Sequence, residues 1–85
     1  MPAADQLHHI LQTRHAPEVL EVIDESAQHA GHAGSDGRTE GSHLRVRISA
    51  AALGSGSRVD KHRLVYDAAQ PLFAQGLHAL AIEWA

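Results

Sequence analysis

The spacing of apolar residues near the start of the chain predicts an amphipathic helix. Leu7, Ile10 and Leu11 lie three and four residues apart, which places them on one face of a helix over residues 3–15. Pro17 ends this helix, because the residue before a proline avoids helical backbone angles. The chain is therefore predicted to begin with a helix that lays one apolar stripe on the core.

Three short segments have the pattern of strands. Residues 19–24 are rich in β-branched and apolar side chains, which favours a first strand. Residues 44–49 alternate strictly between apolar and polar side chains, as a half-buried second strand does. Residues 78–84 alternate in the same way and predict a third strand, in which His78 would share the core face with Leu80.

The segment between the second and third strands is predicted to be helical. Residues 50–53 favour a single helical turn, and Ser57 is a suitable N-cap for a helix that begins at Arg58. The apolar face of this helix is wide and is predicted to begin at Val59. Pro71 would clash with the carbonyl four residues earlier, so we expect a kink or an early helix end there.

The order of these elements predicts one α+β domain. It is α-β-β-(α)-α-β over residues 1–85, a length that suits a single small domain. The first two strands can pair antiparallel, and the helical crossover favours parallel pairing of the second and third. We expect a three-stranded mixed sheet with the helices on one face.

Composition narrows the possible chemistry. The chain has no cysteine, which excludes disulfides, thiolate metal ligands and a cysteine nucleophile. No apolar run approaches the ~20 residues of a membrane helix, and the first residues lack the pattern of a signal peptide. We expect a cytoplasmic protein that does not enter a membrane. No arrangement of residues suggests a nucleophile with its base, so we expect no enzyme.

Histidine is abundant, with eight residues in 85, and neutral imidazole is a common metal ligand. His29 and His32 lie in a segment, residues 26–42, that contains four glycines. We predict a long flexible loop there, and loops longer than ~12–15 residues are usually functional or disordered. The two histidines are therefore either metal ligands or solvated loop residues. His78 is either a metal ligand or a packed residue of the core face.

A basic segment lies inside a chain of net charge −3. Residues 53–66 could form a helix-turn-helix-like pair that presents Arg58, Lys61 and Arg63 to DNA. The alternative is a solvated, charged helix face. DNA is therefore a possible partner, and the sequence specifies no base preference.

Several segments in sequence order resemble the BolA family. Residues 61–66 (Lys-His-Arg-Leu-Val-Tyr) resemble its helix signature, and residues 77–80 (Leu-His-Ala-Leu) resemble its last-strand signature. The family's first hairpin is similar to residues 24–26, 29–34 and 43–46, and residues 17–22 resemble the family's entry into its first strand. Together these segments span most of the chain, and His62 and Tyr66 are part of the helix signature.

The resemblance implies a fold similar to the type II KH domain and a monothiol glutaredoxin as partner. It also implies a 2Fe–2S cluster bridging the two proteins, with His78 and one loop histidine, His29 or His32, as ligands from this chain. The partner would bring a cysteine and a bound glutathione, and imidazole ligation of one iron would then resemble Rieske centres. The isolated chain, expected to be a monomer, would hold no cofactor. Members of the family are also described as transcriptional regulators.

Overall fold

The computed structural model describes residues 1–29 and 40–85, without the side chain of His29. The elements in chain order are α1 (Ala3–His15), β1 (Leu20–Asp24), α2 (Ser26–His29), β2 (His43–Ile48), a 3₁₀ turn (Ala50–Leu53), α3 (Arg58–Ala68), α4 (Gln70–Ala74) and β3 (Ala79–Trp84). The predicted order is confirmed, with α2 as an addition and with the last predicted helix divided into α3 and α4. The prediction of a loop over residues 26–42 is wrong at residues 26–29, and its residues 30–39 lie outside the described part.

The three strands form one mixed sheet in the order β1-β2-β3. β1 and β2 are antiparallel, with Leu20 opposite Ile48. β2 and β3 are parallel, with His43 opposite Ala79 and Ile48 opposite Trp84. This arrangement confirms the predicted pairing of all three strands, and it places the starts of β2 and β3 at the same end of the sheet.

The core lies between the sheet and the helices on one of its faces. Along β2, buried residues alternate with half-buried ones, as the sequence predicts. Fully burying one leucine, valine or isoleucine contributes about 1.5–3 kcal/mol, so these side chains supply most of the driving force. The buried apolar residues are Leu7, Leu11, Leu44, Val46, Ile48, Leu53, Val65, Ala68, Ala69, Leu72, Leu77 and Leu80.

The helical segment after β2 begins and ends at the predicted signals. Ser57 caps α3: its Oγ accepts a hydrogen bond from the N–H of Asp60, whose carboxylate accepts one from the N–H of Ser57. α3 ends at Ala68, and Pro71 lies in the first turn of α4, where its missing N–H costs no helical bond. Val59, predicted to begin the apolar face, is 60% exposed, so the buried face of α3 does not include its first turn.

No described helix is long and apolar enough to cross a membrane.

Candidate functional site

Two histidines lie side by side at the end of the sheet where β2 and β3 begin. His43 is the first residue of β2, and His78 directly precedes β3. Their ring centres are 6.1 Å apart, with the ring planes tilted by 49°. The backbone N–H groups of His78 and Ala79 both donate to the carbonyl of Ser42, at 2.8 and 3.1 Å. These two bonds hold the start of β3 against the peptide group that precedes His43.

The ring of His78 is exposed to solvent. The strand begins at Ala79, so the alternation that buries Leu80 to 6% exposure does not extend back to His78. The alternative in which His78 packs in the core is therefore wrong. A ring at this position can be reached from outside the protein.

The two loop histidines predicted as ligands lie at the margin of the described residues. The backbone of His29 ends α2, while its side chain and all of His32 lie outside the described part. The prediction that one of them approaches His78 therefore stays a prediction. The histidine found next to His78 is His43, which the sequence analysis includes only in the segment of residues 43–46 that resembles the family's first hairpin.

A network of hydrogen bonds connects the end of β1 and the start of α2 with the start of β2. The carboxylate of Asp24 accepts from the backbone N–H and Oγ–H of Ser26 and, at 2.9 Å, from the N–H of Gly41. The Oγ of Ser26 in turn accepts from the N–H groups of Ser42 and His43, at 2.9 and 3.0 Å. Ser26 and Ser42 are fully buried, so these bonds are shielded from water. The network fixes the backbone that carries His43.

The carboxylate in this network is held in its charged form. Partial burial raises the pKa of Asp24. The hydrogen bonds from Ser26 and Gly41, together with the nearby charge of His43, lower this pKa by more than burial raises it. The net effect is an Asp24 pKa below its usual range. The side chain of Ser42 lies beside the ring it supports, with its Oγ 3.0 Å from Nδ1 of His43.

Within residues 1–29 and 40–85 there is no group of three or more histidine, cysteine, aspartate or glutamate side chains arranged to hold a metal ion. His43 and His78 can offer at most two nitrogen ligands. Because a tetrahedral metal centre takes four ligands, the remaining ones would have to come from another molecule, from solvent or from other parts of the chain.

A second candidate surface lies at the opposite end of β2. Arg58, Lys61 and Trp84 line one open groove together with Ala50. Arg63, predicted to act with the other two cations, is exposed but does not line this groove. Trp84 was not predicted as a site residue, because the alternation over residues 78–84 places it on the same face as Leu80, the core face. The aromatic ring instead stands half-buried between the core and the groove.

Two residues of the helix signature form a stack of rings, in which His62 is exposed and Tyr66 is half-buried. The ring of His62 stacks on Tyr66, with centres 4.8 Å apart, and Tyr66 stacks on Phe73 at 5.6 Å. The hydroxyl of Tyr66 donates to the carbonyl of Leu80 at 2.8 Å. Through Tyr66 these contacts tie α3 to α4 and β3.

The histidines of α1 lie apart from the candidate site. His8 and His9 are exposed on the helix surface. His15 is half-buried, and burial, with a smaller effect of Arg14, lowers its pKa.

Comparison with protein families gives a match over most of the chain. The family described as "BolA-like protein" matches residues 11–85. A Sinorhizobium protein described as "Uncharacterized protein in cobS 5'region" is 54% identical over 68 residues, which cover 79% of this chain and 72% of that protein. Protein BOLA1, chloroplastic, of Arabidopsis thaliana is 40% identical over 93% of this chain.

Some relatives are longer proteins. The matched region spans 50% of Arabidopsis BOLA1 and only 19% of the Arabidopsis SufE-like protein 1, chloroplastic/mitochondrial, which is 48% identical over 72 residues. Given these organellar relatives, a cytoplasmic location stays a prediction for this chain.

Solved structures agree with the fold. The BolA domain of SufE1 from Arabidopsis superposes with a TM-score of 0.79 and 37% identity, covering 95% of this chain and 87% of that one. BolA1 from the same plant gives a TM-score of 0.78 at 39% identity, with the same coverage. The mixed three-stranded sheet, the helices on one face and the sequence match together show that this chain belongs to the BolA-like family.

Proposed function

We propose that this chain is an adaptor, not an enzyme, that binds a monothiol glutaredoxin and shares a 2Fe–2S cluster with it. His78 would be one ligand, and His29 or His32 would be the other. The role would be iron–sulfur trafficking or iron sensing. The observation that carries the proposal is the exposed ring of His78 at the end of the sheet from which the segment containing His29 and His32 departs.

The donor set of the chain fits a shared cluster better than a cluster of its own. Iron–sulfur clusters are commonly held by four thiolates, and this chain has no cysteine. It can offer imidazole nitrogens, so thiolates would have to come from the partner's cysteine and from glutathione bound to the partner. When bound, such a cluster would supply electron transfer or transferable iron and sulfide.

The chain's own contribution would be to place an imidazole at an accessible edge. The paired hydrogen bonds from His78 and Ala79 to Ser42 fix the backbone of the ligand residue. The exposed ring then leaves room for a second protein to approach. A ligand on a fixed backbone loses less conformational entropy on binding than one on a flexible segment.

The test is to mix the chain with a cluster-loaded monothiol glutaredoxin and record the visible absorption and circular dichroism spectra. The native chain should form a complex and change the spectrum, and H78A should lose that change. H8A, which removes an exposed histidine from α1, should behave like the native chain. Absence of a complex, or an unchanged spectrum with the native chain, would refute the proposal.

A second candidate function is nucleic-acid binding by a transcriptional regulator. The groove between Arg58, Lys61 and Trp84 favours it, because cations can neutralise phosphates and an indole can stack on a base. Arg63 lies outside the groove and would contribute less than the sequence suggests.

Charge reversal separates this function from the first. R58E/K61E should abolish binding to a DNA fragment while leaving the glutaredoxin spectrum unchanged. R63E, a charge reversal on the same helix, should retain most of the binding. For the native chain, the logarithm of affinity should fall with the logarithm of salt by about 0.9 for each phosphate contacted. Equal losses in R63E and in R58E/K61E would argue against a groove-specific site.

A further inference from the structure

We propose that the free edge of β3 binds an extended, acidic segment of a partner protein as a fourth strand of the sheet. The inference goes beyond the proposed function, because it needs neither a cluster nor a histidine ligand. β3 pairs with β2 on one side, and within residues 1–29 and 40–85 no strand pairs with its other side. A strand with an open edge is a template to which another extended segment can be added.

The register of β3 defines the groups that it presents at this edge. The N–H of Ala79, its first residue, donates to the carbonyl of Ser42 at 3.1 Å. Directly after the strand, the N–H of Ala85 donates to the carbonyl of Ile48 at 2.9 Å. In a parallel pair only alternate residues of a strand bond to a given neighbour, so the odd-numbered residues of β3 bond to β2. The residues whose N–H and C=O groups point away from β2 are Leu80, Ile82 and Trp84.

Aromatic and apolar side chains of α3 and α4 lie beside this edge. The hydroxyl of Tyr66 donates to the carbonyl of Leu80 at 2.8 Å, which is one of the carbonyls that point away from β2. The ring of Tyr66 stacks on those of His62 and Phe73. Val59 lies three residues before His62 on the same face of α3, and it is 60% exposed. An added strand would therefore hydrogen-bond to β3 and pack against the exposed face of α3.

Two cations at one end of the edge determine the charge of the segment that fits. Arg58 and Lys61 line an open groove with Trp84, the last residue of β3. Among the described residues neither cation forms an ion pair. The carboxylate of Asp60 is already bonded at the N-cap of α3, and Glu83 lies on the opposite face of the sheet. Acidic side chains where the added strand passes Trp84 would therefore be attracted, and basic ones would be repelled.

The length of the edge limits the strength of the complex. β3 has six residues and is about 20 Å long, so it can pair with a segment of similar length. Backbone hydrogen bonds would supply affinity, while the alternate side chains of the segment would supply specificity. Such a contact buries less than the ~1,200 Å² at which stable interfaces begin, so we expect a transient complex.

The test is to titrate the ¹⁵N-labelled full chain with a short peptide of alternating valine and threonine that carries two glutamates at one end, with either end tried. The amide signals of Leu80, Ile82 and Trp84 should move in one saturable step. The same peptide with two lysines should bind about tenfold more weakly or less. R58E/K61E should remove the preference for glutamate, and R63E, a charge reversal on the same helix, should retain it.

Methylation of the peptide backbone tests whether the peptide binds as a strand. Every second N–H of an added strand donates to β3, and the others point away from it. Methylating one set of alternate nitrogens should therefore remove binding, and methylating the other set should leave most of it. This comparison uses the native chain, so no loss of folding can produce the difference.

The inference is wrong if the three edge amides do not move at millimolar peptide, if both methylated peptides bind alike, or if the lysine peptide binds as well as the glutamate peptide. A DNA fragment provides the last arm. If DNA moves the signals around Arg58 and Lys61 while no peptide moves the edge amides, these cations serve a nucleic acid and the inference also fails. These outcomes leave the glutaredoxin experiment unaffected, because that experiment follows the spectrum of a cluster.

Discussion

At each end of β2 a serine hydroxyl accepts hydrogen bonds from backbone N–H groups, but one serine is buried and the other is exposed. At the histidine end, defined by Ser26, Ser42, His43 and His78, a buried serine hydroxyl accepts two backbone N–H groups. At the basic end, defined by Ser57, Asp60, Arg58, Lys61 and Trp84, an exposed serine hydroxyl accepts one N–H at the start of α3. The comparison separates bonds that water could replace from bonds that it could not.

The difference matches what each end is proposed to do. Ligands for a metal ion or cluster must be held within a few tenths of an ångström, and shielded hydrogen bonds serve that need. Cations that contact a phosphate backbone tolerate looser placement, because the attraction acts over longer distances. The ends of the six-residue strand β2 are about 17 Å apart at 3.3 Å per residue, so changes at the two ends should be nearly additive.

The largest effect is expected from removing the buried hydroxyl. S26A should lower the free energy of unfolding by about 2–4 kcal/mol, because it leaves the N–H groups of Ser42 and His43 without an acceptor. The matched change at the basic end, S57A, should cost only about 1 kcal/mol, as loss of an exposed N-cap usually does.

Urea denaturation of both variants measures this difference, and thermal unfolding checks it. For a domain of this size, each kcal/mol corresponds to about 4–8 °C in Tm. The S26A/S57A double variant should lose the sum of the two single losses within about 0.5 kcal/mol. Equal costs for the two serines would show that burial does not distinguish the two ends.

The next effect concerns the carboxylates beside the two serines. The pKa of Asp24 is lowered in the folded state, so the stability it contributes is present above its ordinary pKa, near 3.8, and is lost as the pH falls through the folded value. D24N should therefore cost about 1–3 kcal/mol at pH 7, through weaker hydrogen bonds to Ser26 and Gly41. It should also reduce the loss of stability in acid.

D60N is the matched change at the basic end, where one exposed hydrogen bond from the N–H of Ser57 is weakened. We expect it to cost less than about 1 kcal/mol at pH 7. Chemical denaturation at pH 7 and at several values between 5 and 2 would compare both variants with the native chain. An unchanged acid profile for D24N would mean that other carboxylates control acid unfolding.

Local patterns predicted most of the fold. The apolar spacing in α1, the alternation in β2, the cap at Ser57 and the break at Pro71 all act over a few residues, and each lies where the sequence indicates. The exposure of Val59 could not be predicted in this way, because it depends on which elements pack against the first turn of α3, and that is a tertiary property. α2 was missed because a single turn held by Ser26 and Asp24 has no periodicity to detect.

The candidate site was predicted less completely than the fold. His78 was identified from its motif, but its exposure depends on the strand beginning one residue later than alternation suggests. His43 was not identified as a candidate, although parallel pairing of the two predicted strands with their first residues in register would have placed it beside His78. Which residues of two distant strands lie opposite each other is a tertiary property. The local alternation predicts only which face of the sheet each side chain lies on.

The smallest predicted effect is a gradient of ion-pair strength along the outer face of β2. Nε of Arg45, nearer the histidine end, lies 3.1 Å from a carboxylate oxygen of Glu25, whose side chain is only 18% exposed. Nη1 of Arg47, farther along, lies 3.3 Å from a carboxylate oxygen of Glu21, whose side chain is 56% exposed. Exposed pairs are worth little because water and salt screen them and because two long side chains must be ordered.

Double-mutant cycles to alanine would measure both couplings by urea denaturation at low and high salt. We expect about 0.5–1 kcal/mol for Arg45 with Glu25 and less than about 0.5 kcal/mol for Arg47 with Glu21. Salt should reduce the second coupling by the larger fraction, since its carboxylate is the more exposed. Equal couplings, or a stronger one at Arg47, would mean that the shielding found around Ser26 ends with the backbone network and does not extend to the side chains along β2.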